Sequence, residues 1–561
     1  MARRLSPAYR PRDPTQTVLY QVLDQHLAPF IAEVEAADRP LPGFVRRELE
    51  GLLRCGRLEW GFARQVCPAC SFERLIGLPC RGRGVCPSCL GRRMIAGAAR
   101  LVDFILPIAP VRQWVCTFHP RLRLAMAYNH DLCSRVIAIF VGEVMRWQRQ
   151  IAKRELGLTS MSRAHGGAVT AIHRSGSSAN LQVHVHSAVL DGVYVVGSPD
   201  SERHPEFHAL PAPTPADLRE IAGRVYANTK RKLCALGLDW EDDVELVALG
   251  APLLTQEPLL LDCAEASVAG VGLLGDQAGR PLAPLVSGPV AVPADLAHLM
   301  DEHDACQHPG GFNLHAARRV QASDRAGLER LCRYLLHPPL AHDRLQWTGD
   351  GRVRLSFTRP WKNGVAAMTL TPLNLIARLV PLVPRPGTHQ LRYHGVLAPY
   401  SKLRPYVTPR RPSGVVQLPM FNQRGQPTPR ARHDQSSCPP EPEQQPNTPA
   451  QPPLAETSQA QGERTAVPPP PPQKLEPMSW AEAMHRMAAH NLEQCPRCGA
   501  RLAPLTVVLD PDEIRRTLED RGILDPIPPL SRAPARGPPH GQLTLPFASS
   551  SACDPASPFA A

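Results

Sequence analysis

Two Cys-x-x-Cys motifs lying close together constrain the fold of this chain more than any other feature of its sequence. They are Cys67–Cys70 (CPAC) and Cys86–Cys89 (CPSC), with 15 residues between them. Two thiolates on one tight turn can bind the same ion, and two such turns supply the four ligands of a tetrahedral structural zinc site. The spacing therefore predicts a zinc-binding domain at residues 49–100. Its single ion would be bound by Cys67, Cys70, Cys86 and Cys89.

Further cysteines lie outside these two motifs. Cys55 and Cys80 could add ligands, but we interpret them as core residues, since a free cysteine packs as a small apolar side chain. Near the C-terminal end, Cys495–Cys498 (CPRC) supplies only half of a tetrahedral site. His485 or His490 could complete that site, and a turn without metal is an equal alternative.

The 16 cysteines also bear on the compartment. In a reducing compartment, cysteines bind metals or pack in cores rather than form disulfides. Arg3 and Arg4 are not followed by an apolar stretch, and no apolar run approaches the roughly 20 residues that span a bilayer. We therefore expect a cytoplasmic protein.

Proline usage divides the chain into a folded body and a C-terminal part of different composition. The sequence has 63 prolines, and a Pro/Gln/Ser/Glu-rich tract covers about 425–475. Such a tract cannot bury enough apolar surface to fold. The predicted division is an N-terminal helical region at 1–48, the zinc-binding domain at 49–100, a large domain at 101–405, a disordered linker at 406–475, a small module with one Cys-x-x-Cys at 476–530, and a disordered tail at 531–561.

Hydrophobic periodicity within the body predicts both helices and strands. The predicted helices are 15–36, 92–106, 129–155 and 215–237. The predicted strands are 112–118, 167–173, 181–190 and 193–196, with turn residues at 174–178. Because helices and short hairpins are mixed along the chain, the predicted fold class is α+β.

The balance of charge favours a polyanionic partner. A net charge of +12 suits either nucleic acid or an acidic membrane surface, and charge alone does not choose between them. Arg83, Arg92 and Arg93 lie around the second Cys-x-x-Cys motif and suit contacts with phosphate, although a solvated charged face explains any one of them equally well. The predicted helix 215–237 is also basic.

The segment Leu181–Leu190 (LQVHVHSAVL) says most about chemistry. In a strand, alternate side chains share a face, so His184 and His186 point the same way while the valines pack on the opposite face. Two imidazoles at positions i and i+2 of a rigid strand can bind a divalent ion. Such a pair also arises by chance, so the motif needs support from its context.

A helix further along the chain supplies that context. Residues 324–334 predict a helix that Asp324 caps and that two prolines end shortly afterwards. Tyr334 lies beside its apolar stripe, with Arg330 and Arg333 as neighbours. A tyrosine in such a place is often only a rim residue of the core. Flanking arginines, however, can bind a phosphate and favour the phenolate that attacks it.

Taken together, these segments resemble the rolling-circle transposases of the insertion sequence 91 family. The resemblance rests on the Cys-x-x-Cys motifs and on segments 166–193, 330–339 and 393–399, in that order, within about residues 18–405. It implies that 101–405 is a catalytic domain of the HUH type, an antiparallel sheet with helices that follows a zinc ribbon. It also implies single-stranded DNA at the ends of a mobile element and target DNA as partners, in the nucleoid of a bacterial cytoplasm.

The resemblance implies a reaction as well. His184 and His186 would bind Mg²⁺ or Mn²⁺ at the scissile phosphate. Tyr334 would attack that phosphate and form a 5′-phosphotyrosine with a free 3′-hydroxyl. Because the covalent link conserves the bond energy, rejoining would need no ATP.

Two details of this expected site stay open in the sequence. A third ligand is expected for the ion, and Gln182 and His173 are the two candidates. Some family members carry a second tyrosine four residues before the first, whereas Arg330 occupies that position here. The chain therefore resembles the single-tyrosine branch.

Two other functions are compatible with the same residues. A plasmid replication initiator or relaxase would use the same chemistry, but the zinc motifs disfavour it and the sequence has no phosphate-binding loop of a tethered helicase. A zinc-ribbon DNA-binding protein would use the histidines and the tyrosine only as structural residues. A Tyr334→Phe variant separates that last case, because DNA binding alone does not need the phenol.

Overall fold

The computed structural model describes eight stretches of the chain, and all of them belong to one compact unit. They are residues 13–196, 205–238, 252–282, 284–286, 305–308, 310–358, 364–409 and 493–523. The predicted linker at 406–475 and the predicted tail at 531–561 lie outside them, apart from residues 406–409. Within these stretches, no helix is both long and apolar enough to cross a membrane.

Several helices begin next to a residue whose side chain caps them. Thr17 accepts a hydrogen bond from the backbone of Tyr20, and Thr214 forms a reciprocal capping box with Asp217. In the described stretches, the helices of five residues or more are Val18–Ala36, Gly43–Arg54, Pro87–Phe104, Pro120–Tyr128, His130–Glu155, Pro215–Cys234, Pro252–Gln256, Pro258–Ala269, Arg325–Leu335, Pro372–Leu379 and Pro511–Glu519.

A seven-stranded antiparallel sheet forms the centre of the body. Its strand order is Ala305–His308, Phe312–His315, Val111–Thr117, Leu181–Leu190, Gly167–Ser175 and Leu391–Gly395, with Arg319–Val320 also paired to Val111–Thr117. Val183 and Val185 of the histidine-bearing strand are fully buried in the main core. One face of that strand is therefore fixed by packing, and the other is left for polar groups.

Three smaller antiparallel sheets complete the described fold. One contains Leu345–Trp347, Val353–Ser356, Val365–Leu370 and Pro284–Val286, and another contains Ala164–His165, Gly192–Val195 and Glu206–Ala209. The third contains Thr506–Val508, Phe62–Val66 and Glu73–Gly77. The predicted α+β class with antiparallel sheets is thus confirmed.

Two features differ from the sequence-based prediction. The predicted helix 92–106 begins earlier, at Pro87, because Cys86 is its N-terminal cap and proline is favoured in the first turn. The predicted module at 476–530 contributes the strand Thr506–Val508, which pairs with Phe62–Val66. Residues from both ends of the chain therefore build one sheet, a pairing that local periodicity cannot reveal.

Candidate catalytic and metal sites

The strand Leu181–Leu190 directs its two histidines to one face, as alternation requires. On the neighbouring strand, His173 stands directly opposite His184 in the register. One ring nitrogen from each of His173, His184 and His186 lies within 4.8 Å of the others, an arrangement that could bind a metal ion. We call these three residues the histidine cluster.

Hydrogen bonds orient two of these imidazoles. His184 Nδ1 donates to the Gln182 carbonyl at 2.9 Å, and His173 Nε2 donates to the Leu335 carbonyl at 2.7 Å. These bonds assign the proton to the bonded nitrogen and leave the other nitrogen of each ring as a ligand. Burial lowers the pKa of His173 well below its usual value, which keeps this imidazole neutral.

The third imidazole has a side-chain partner. The Gln113 amide lies 3.1 Å from His186 Nδ1, and both residues are buried. The contacting atom is the Gln113 amide nitrogen Nε2, which donates to His186 Nδ1 and so holds the ring in one orientation. Gln113 has no local signal in the sequence, because it lies on a separate strand and becomes a neighbour of His186 only through strand pairing.

The two candidates for a third ligand occupy different places. His173 belongs to the histidine cluster. The Gln182 side chain instead lies beside the turn between the two strands, where a Cβ added to Gly176 would be 2.3 Å from Gln182 Oε1. The structure thus brings His173 to the predicted histidine pair, while the Gln182 side chain faces the turn.

The helix Arg325–Leu335, which we call the tyrosine helix, positions Tyr334. Its N-terminal cap is Asp324, which accepts a hydrogen bond from the Gly327 backbone. Its buried stripe is Leu328, Leu331, Cys332 and Leu335, as the sequence predicts. The Tyr334 ring lies against His186 with ring centroids 5.2 Å apart, in an edge-to-face arrangement. The predicted tyrosine is therefore in contact with His186 of the predicted histidine pair.

A further histidine packs beside this pair. His337 Nδ1 donates to the Tyr334 carbonyl at 2.7 Å. Its ring stacks on Tyr334 at 5.4 Å and lies 4.7 Å from the ring of His173. This packing limits the orientations of the phenol. His337 lies two residues after the end of the tyrosine helix and three residues after Tyr334. This short spacing is the one feature of the sequence that indicates that the two side chains are neighbours.

The two arginines that flank Tyr334 differ in how exposed their side chains are and in how closely each is paired with a carboxylate. Arg330 keeps a side chain that is 64% exposed and lies 3.8 Å from Asp324, whereas Arg333 is bonded to Glu329 at 2.6 Å. Arg330 is therefore the better placed of the predicted pair for a substrate phosphate.

Arg318 is a further cation of this region, in addition to the arginines predicted from the sequence. Burial and the positive charge of Arg330 lower its pKa, while Tyr334 opposes that shift. The Arg318 carbonyl accepts a hydrogen bond from the backbone of Gln113 at 2.8 Å, next to the side chain that contacts His186. Arg318 directly precedes the short strand Arg319–Val320, which ends shortly before the tyrosine helix begins, and no helical or strand periodicity connects it with Tyr334.

The predicted zinc ligands do not form one site. Cys86 and Cys89 meet two other cysteines in the buried cysteine cluster, which is Cys55, Cys80, Cys86 and Cys89. Cys67 and Cys70 instead meet the C-terminal motif in the split cysteine cluster, which is Cys67, Cys70, Cys495 and Cys498. The prediction of one zinc site bound by Cys67, Cys70, Cys86 and Cys89 is therefore wrong. The interpretation of Cys55 and Cys80 as ordinary core residues is also wrong, because both belong to a cluster that could bind a metal.

The sulfur positions of the buried cysteine cluster suit a zinc ion. Its Sγ–Sγ distances are 3.6 Å for Cys55–Cys89, 3.4 Å for Cys80–Cys89 and 3.5 Å for Cys86–Cys55. Four thiolates around tetrahedral zinc, each about 2.3 Å from the ion, lie about 3.8 Å apart. The spacing is close to that value and far from the roughly 2.05 Å of a disulfide.

The helix Pro87–Phe104, which we call the knuckle helix, connects the buried cysteine cluster to the tyrosine helix. It starts at the Cys86–Cys89 turn and packs against the tyrosine helix. Near its C-terminal end, Arg325 donates hydrogen bonds to the carbonyls of Val102, Leu106 and Pro107. A metal at the start of the knuckle helix would therefore help to fix the position of Tyr334.

The three arginines of the zinc domain that were predicted to contact phosphate differ in their exposure and in their partners. Arg83 donates to the Thr388 carbonyl at 2.7 Å and so has a structural role. Arg93 is exposed and donates to the Arg81 carbonyl at 3.0 Å, and Arg92 is exposed on the knuckle helix. Arg92 and Arg93 thus remain accessible to a polyanion.

Comparison with known protein families covers both parts of the body. Residues 167–404, with the histidine cluster and Tyr334, match the family described as "Putative transposase". Residues 22–118 match the transposase zinc-binding domain of the insertion sequence 91 family. No curated protein and no solved structure matches the chain. The zinc-binding match and the buried cysteine cluster support a structural zinc ion, and the transposase match indicates an enzyme that processes DNA. The chain therefore belongs to the insertion sequence 91 family of transposases.

Proposed function

We propose that this transposase nicks and rejoins single-stranded DNA with Tyr334 as its nucleophile, as an HUH-type strand transferase in rolling-circle transposition. The observation that carries the proposal is the contact between Tyr334 and the histidine cluster, with ring centroids of Tyr334 and His186 5.2 Å apart. A nucleophile beside a set of metal ligands is the combination that phosphodiester transfer requires. A purely structural tyrosine has no need of three convergent imidazoles.

The histidine cluster fits a divalent cation. Its three imidazoles present ring nitrogens to one point, and hydrogen bonds fix two of them through their other nitrogen. Nitrogen ligands suit Mn²⁺ better than Mg²⁺, which prefers oxygen ligands and retains its waters. A bound cation would supply Lewis-acid polarisation of a non-bridging phosphate oxygen.

The proposed reaction is a transesterification at one phosphodiester. The Tyr334 phenol loses its proton and its Oη forms a bond to phosphorus, while the bond from phosphorus to the 3′ oxygen breaks. The departing 3′ oxygen takes up a proton, and the 5′ phosphate stays on the tyrosine. Attack by a 3′-hydroxyl on this phosphotyrosine reverses the sequence and regenerates the phenol, so the exchange needs no nucleotide cofactor.

Two arginines are suited to bind the scissile phosphate. Arg330 is largely exposed on the tyrosine helix, one turn before Tyr334, and Arg318 interacts electrostatically with both. Guanidinium groups bind phosphate oxygens through paired hydrogen bonds and offset the charge that develops during attack. Since Arg330 occupies the position of a second tyrosine in some family members, we propose a mechanism with one nucleophile in each site.

Basic surfaces elsewhere would bind the DNA strand. Arg92 and Arg93 are exposed on the knuckle helix, and the helix Pro215–Cys234 carries several further cations. Contacts of this kind bind the phosphate backbone without reading its sequence, and their contribution falls as salt rises.

The test is formation of a covalent protein–DNA adduct. Purified protein is incubated with Mn²⁺ and labelled single-stranded DNA from the ends of the element, and the products are separated on a denaturing gel. We expect an adduct that Tyr334→Phe abolishes. The control is Tyr400→Phe, because Tyr400 is 97% exposed; it should leave the adduct unchanged. An adduct that persists in Tyr334→Phe would refute the assigned nucleophile.

A second variant tests the histidine cluster. His184→Ala should abolish the adduct while DNA affinity stays within about twofold of wild type, since the residue is proposed to act on the phosphate rather than on the strand. DNA affinity is measured by fluorescence anisotropy without divalent cation. Equal loss of binding and cleavage would instead indicate a structural role for His184.

A further inference from the structure

The split cysteine cluster joins two distant parts of the chain. Cys67 Sγ lies 3.6 Å from Cys498 Sγ, and Cys70 Sγ lies 3.6 Å from Cys495 Sγ, although 425 positions separate Cys70 from Cys495. These distances suit tetrahedral zinc, as in the buried cysteine cluster. We propose that Cys67, Cys70, Cys495 and Cys498 bind a second zinc ion, which fastens the C-terminal segment, residues 493–523, to the zinc domain.

The two halves of this cluster have the same backbone geometry. The nitrogen of Ser71 donates to the Cys67 carbonyl at 2.9 Å, and the nitrogen of Gly499 donates to the Cys495 carbonyl at the same distance. Ser71 and Gly499 both have positive φ, 54° and 75°. The backbone nitrogen of Cys67 donates to the Phe72 carbonyl at 2.7 Å. In the same way, the backbone nitrogen of Cys495 donates to the Ala500 carbonyl at 2.8 Å.

The residues flanking each half are paired in the same way. Val66 pairs with Glu73 across the first turn, and Gln494 pairs with Arg501 across the second. Each half is therefore a hairpin turn that presents two thiolates, and each lacks the other two ligands of a zinc site. Two such turns facing one another complete four-coordination, which is the arrangement of a closed structural zinc site.

Packing beyond the sulfur atoms supports the same junction. Thr506–Val508 pairs with Phe62–Val66, and Val508 packs with Phe62 in a small apolar cluster that also contains Leu75, Ile514 and Leu518. Arg521 forms an ion pair with Glu73. The C-terminal segment thus reaches the zinc domain through a strand, an apolar cluster and a charge pair, so the four cysteines meet within a built interface.

The split cysteine cluster is more accessible than the buried one. Cys498 is exposed and Cys70 is half-buried, whereas three members of the buried cysteine cluster are buried. A chelator can approach an exposed thiolate–metal bond more readily than a buried one. The second ion should therefore leave first when a chelator is added, and its loss should release the C-terminal segment.

Zinc stoichiometry tests the proposal directly. Metal analysis of the purified full chain should give two zinc ions per chain, and the double variant Cys495→Ser/Cys498→Ser should give one. The matched control is Cys234→Ser, an exposed cysteine outside both clusters, which should retain two. Equal zinc content in wild type and the double variant would overturn the proposal, because it would mean that Cys67 and Cys70 find their partners elsewhere.

A cleavage experiment tests the fastening itself. A protease recognition sequence is inserted after Gln444, and the full-length protein is cut after purification. The C-terminal fragment should co-elute with the remainder in size-exclusion chromatography and separate when a chelator is added. Separation without chelator, or retention of the fragment in the double variant, would show that the ion does not fasten the segment. Adduct formation does not enter either readout, so this proposal can fail independently of the proposed reaction.

Discussion

The two cysteine clusters contain similar motifs but differ in how far apart their cysteines lie in the sequence. The buried cysteine cluster draws its ligands from Cys55 to Cys89, a span of 34 positions, whereas the split cysteine cluster spans 431 positions from Cys67 to Cys498. Each contains a Cys-Pro-x-Cys motif from the same short stretch of sequence. The spacing of cysteines therefore predicts which pairs share a turn, but it does not predict which turns share an ion.

The residue after the second cysteine separates the two kinds of turn. Ser71 and Gly499 follow theirs with positive φ, which closes a hairpin. Leu90 follows Cys89 inside the knuckle helix, and its nitrogen bonds to the Cys86 carbonyl at 3.0 Å. Motifs that share the pattern Cys-Pro-x-Cys thus form a hairpin turn in one cluster and the start of a helix in the other.

The largest expected effect comes from the buried cysteine cluster. Cys89→Ser should remove one zinc ion, lower the free energy of unfolding by on the order of 5 kcal/mol, and abolish the DNA adduct, because metal binding contributes folding energy to the knuckle helix that supports the tyrosine helix. Metal analysis, denaturant unfolding and the adduct gel measure these effects. Cys263→Ser is the control, a buried cysteine outside both clusters that should keep the zinc. An intact adduct in Cys89→Ser would separate this cluster from catalysis.

A smaller effect is expected where the knuckle helix meets the tyrosine helix. Arg325→Ala removes the hydrogen bonds to three carbonyls near the end of the knuckle helix, so it should cost about 2 kcal/mol of stability and slow adduct formation without loss of zinc. Denaturant unfolding and adduct time courses provide the measurement. Arg154→Ala, at an exposed helix end, should change stability by less than about 0.5 kcal/mol. An unchanged rate in Arg325→Ala would mean that the zinc domain does not act through this contact.

The split cysteine cluster should matter less to the body of the protein. Cys67→Ser should remove one zinc ion but change the stability of the catalytic domain by less than about 1 kcal/mol and leave the adduct intact, since this cluster packs outside the main core. Metal analysis and adduct gels with the same preparation test both parts. If Cys67→Ser matched Cys89→Ser in all readouts, the two clusters would form one cooperative unit.

The smallest effect concerns the hairpin turn itself. Gly499→Ala places a side chain at φ 75°, which costs about 1–2 kcal/mol and should weaken zinc affinity of the split cysteine cluster by roughly tenfold. Competition with a chromophoric chelator measures this affinity. Gly522→Ala is a matched control at φ 62° in the same segment, away from the thiols. Equal weakening in both variants would attribute the change to general strain.

The elements near the proposed reaction could be predicted well because their signals are local. The alternation in Leu181–Leu190 predicted a strand with His184 and His186 on one face, and the capped apolar stripe predicted the tyrosine helix. Strand period and helix period each extend over only a few residues, so a single segment contains the whole pattern.

What escaped prediction depends on contacts between distant segments. Gln113 and Arg318 are brought together by strand pairing, which leaves no periodic trace in the sequence. His337 lies only three residues after Tyr334, but a single histidine beyond a helix end forms no periodic pattern. The edge strand Leu391–Gly395 was missed for a related reason, since its residues are only partly buried and show no clear alternation. The partners of Cys67 and Cys70 are the extreme case, because they lie near the other end of the chain.

The two halves of the split cysteine cluster are synthesised at different times. A ribosome adds about 5–20 residues per second, so roughly 20–85 s separate the synthesis of Cys70 from that of Cys495. Throughout that interval the N-terminal hairpin has only two of its four ligands. A chain that stops early can complete its buried cysteine cluster but never this one, so occupancy of the second site would distinguish finished molecules from truncated ones.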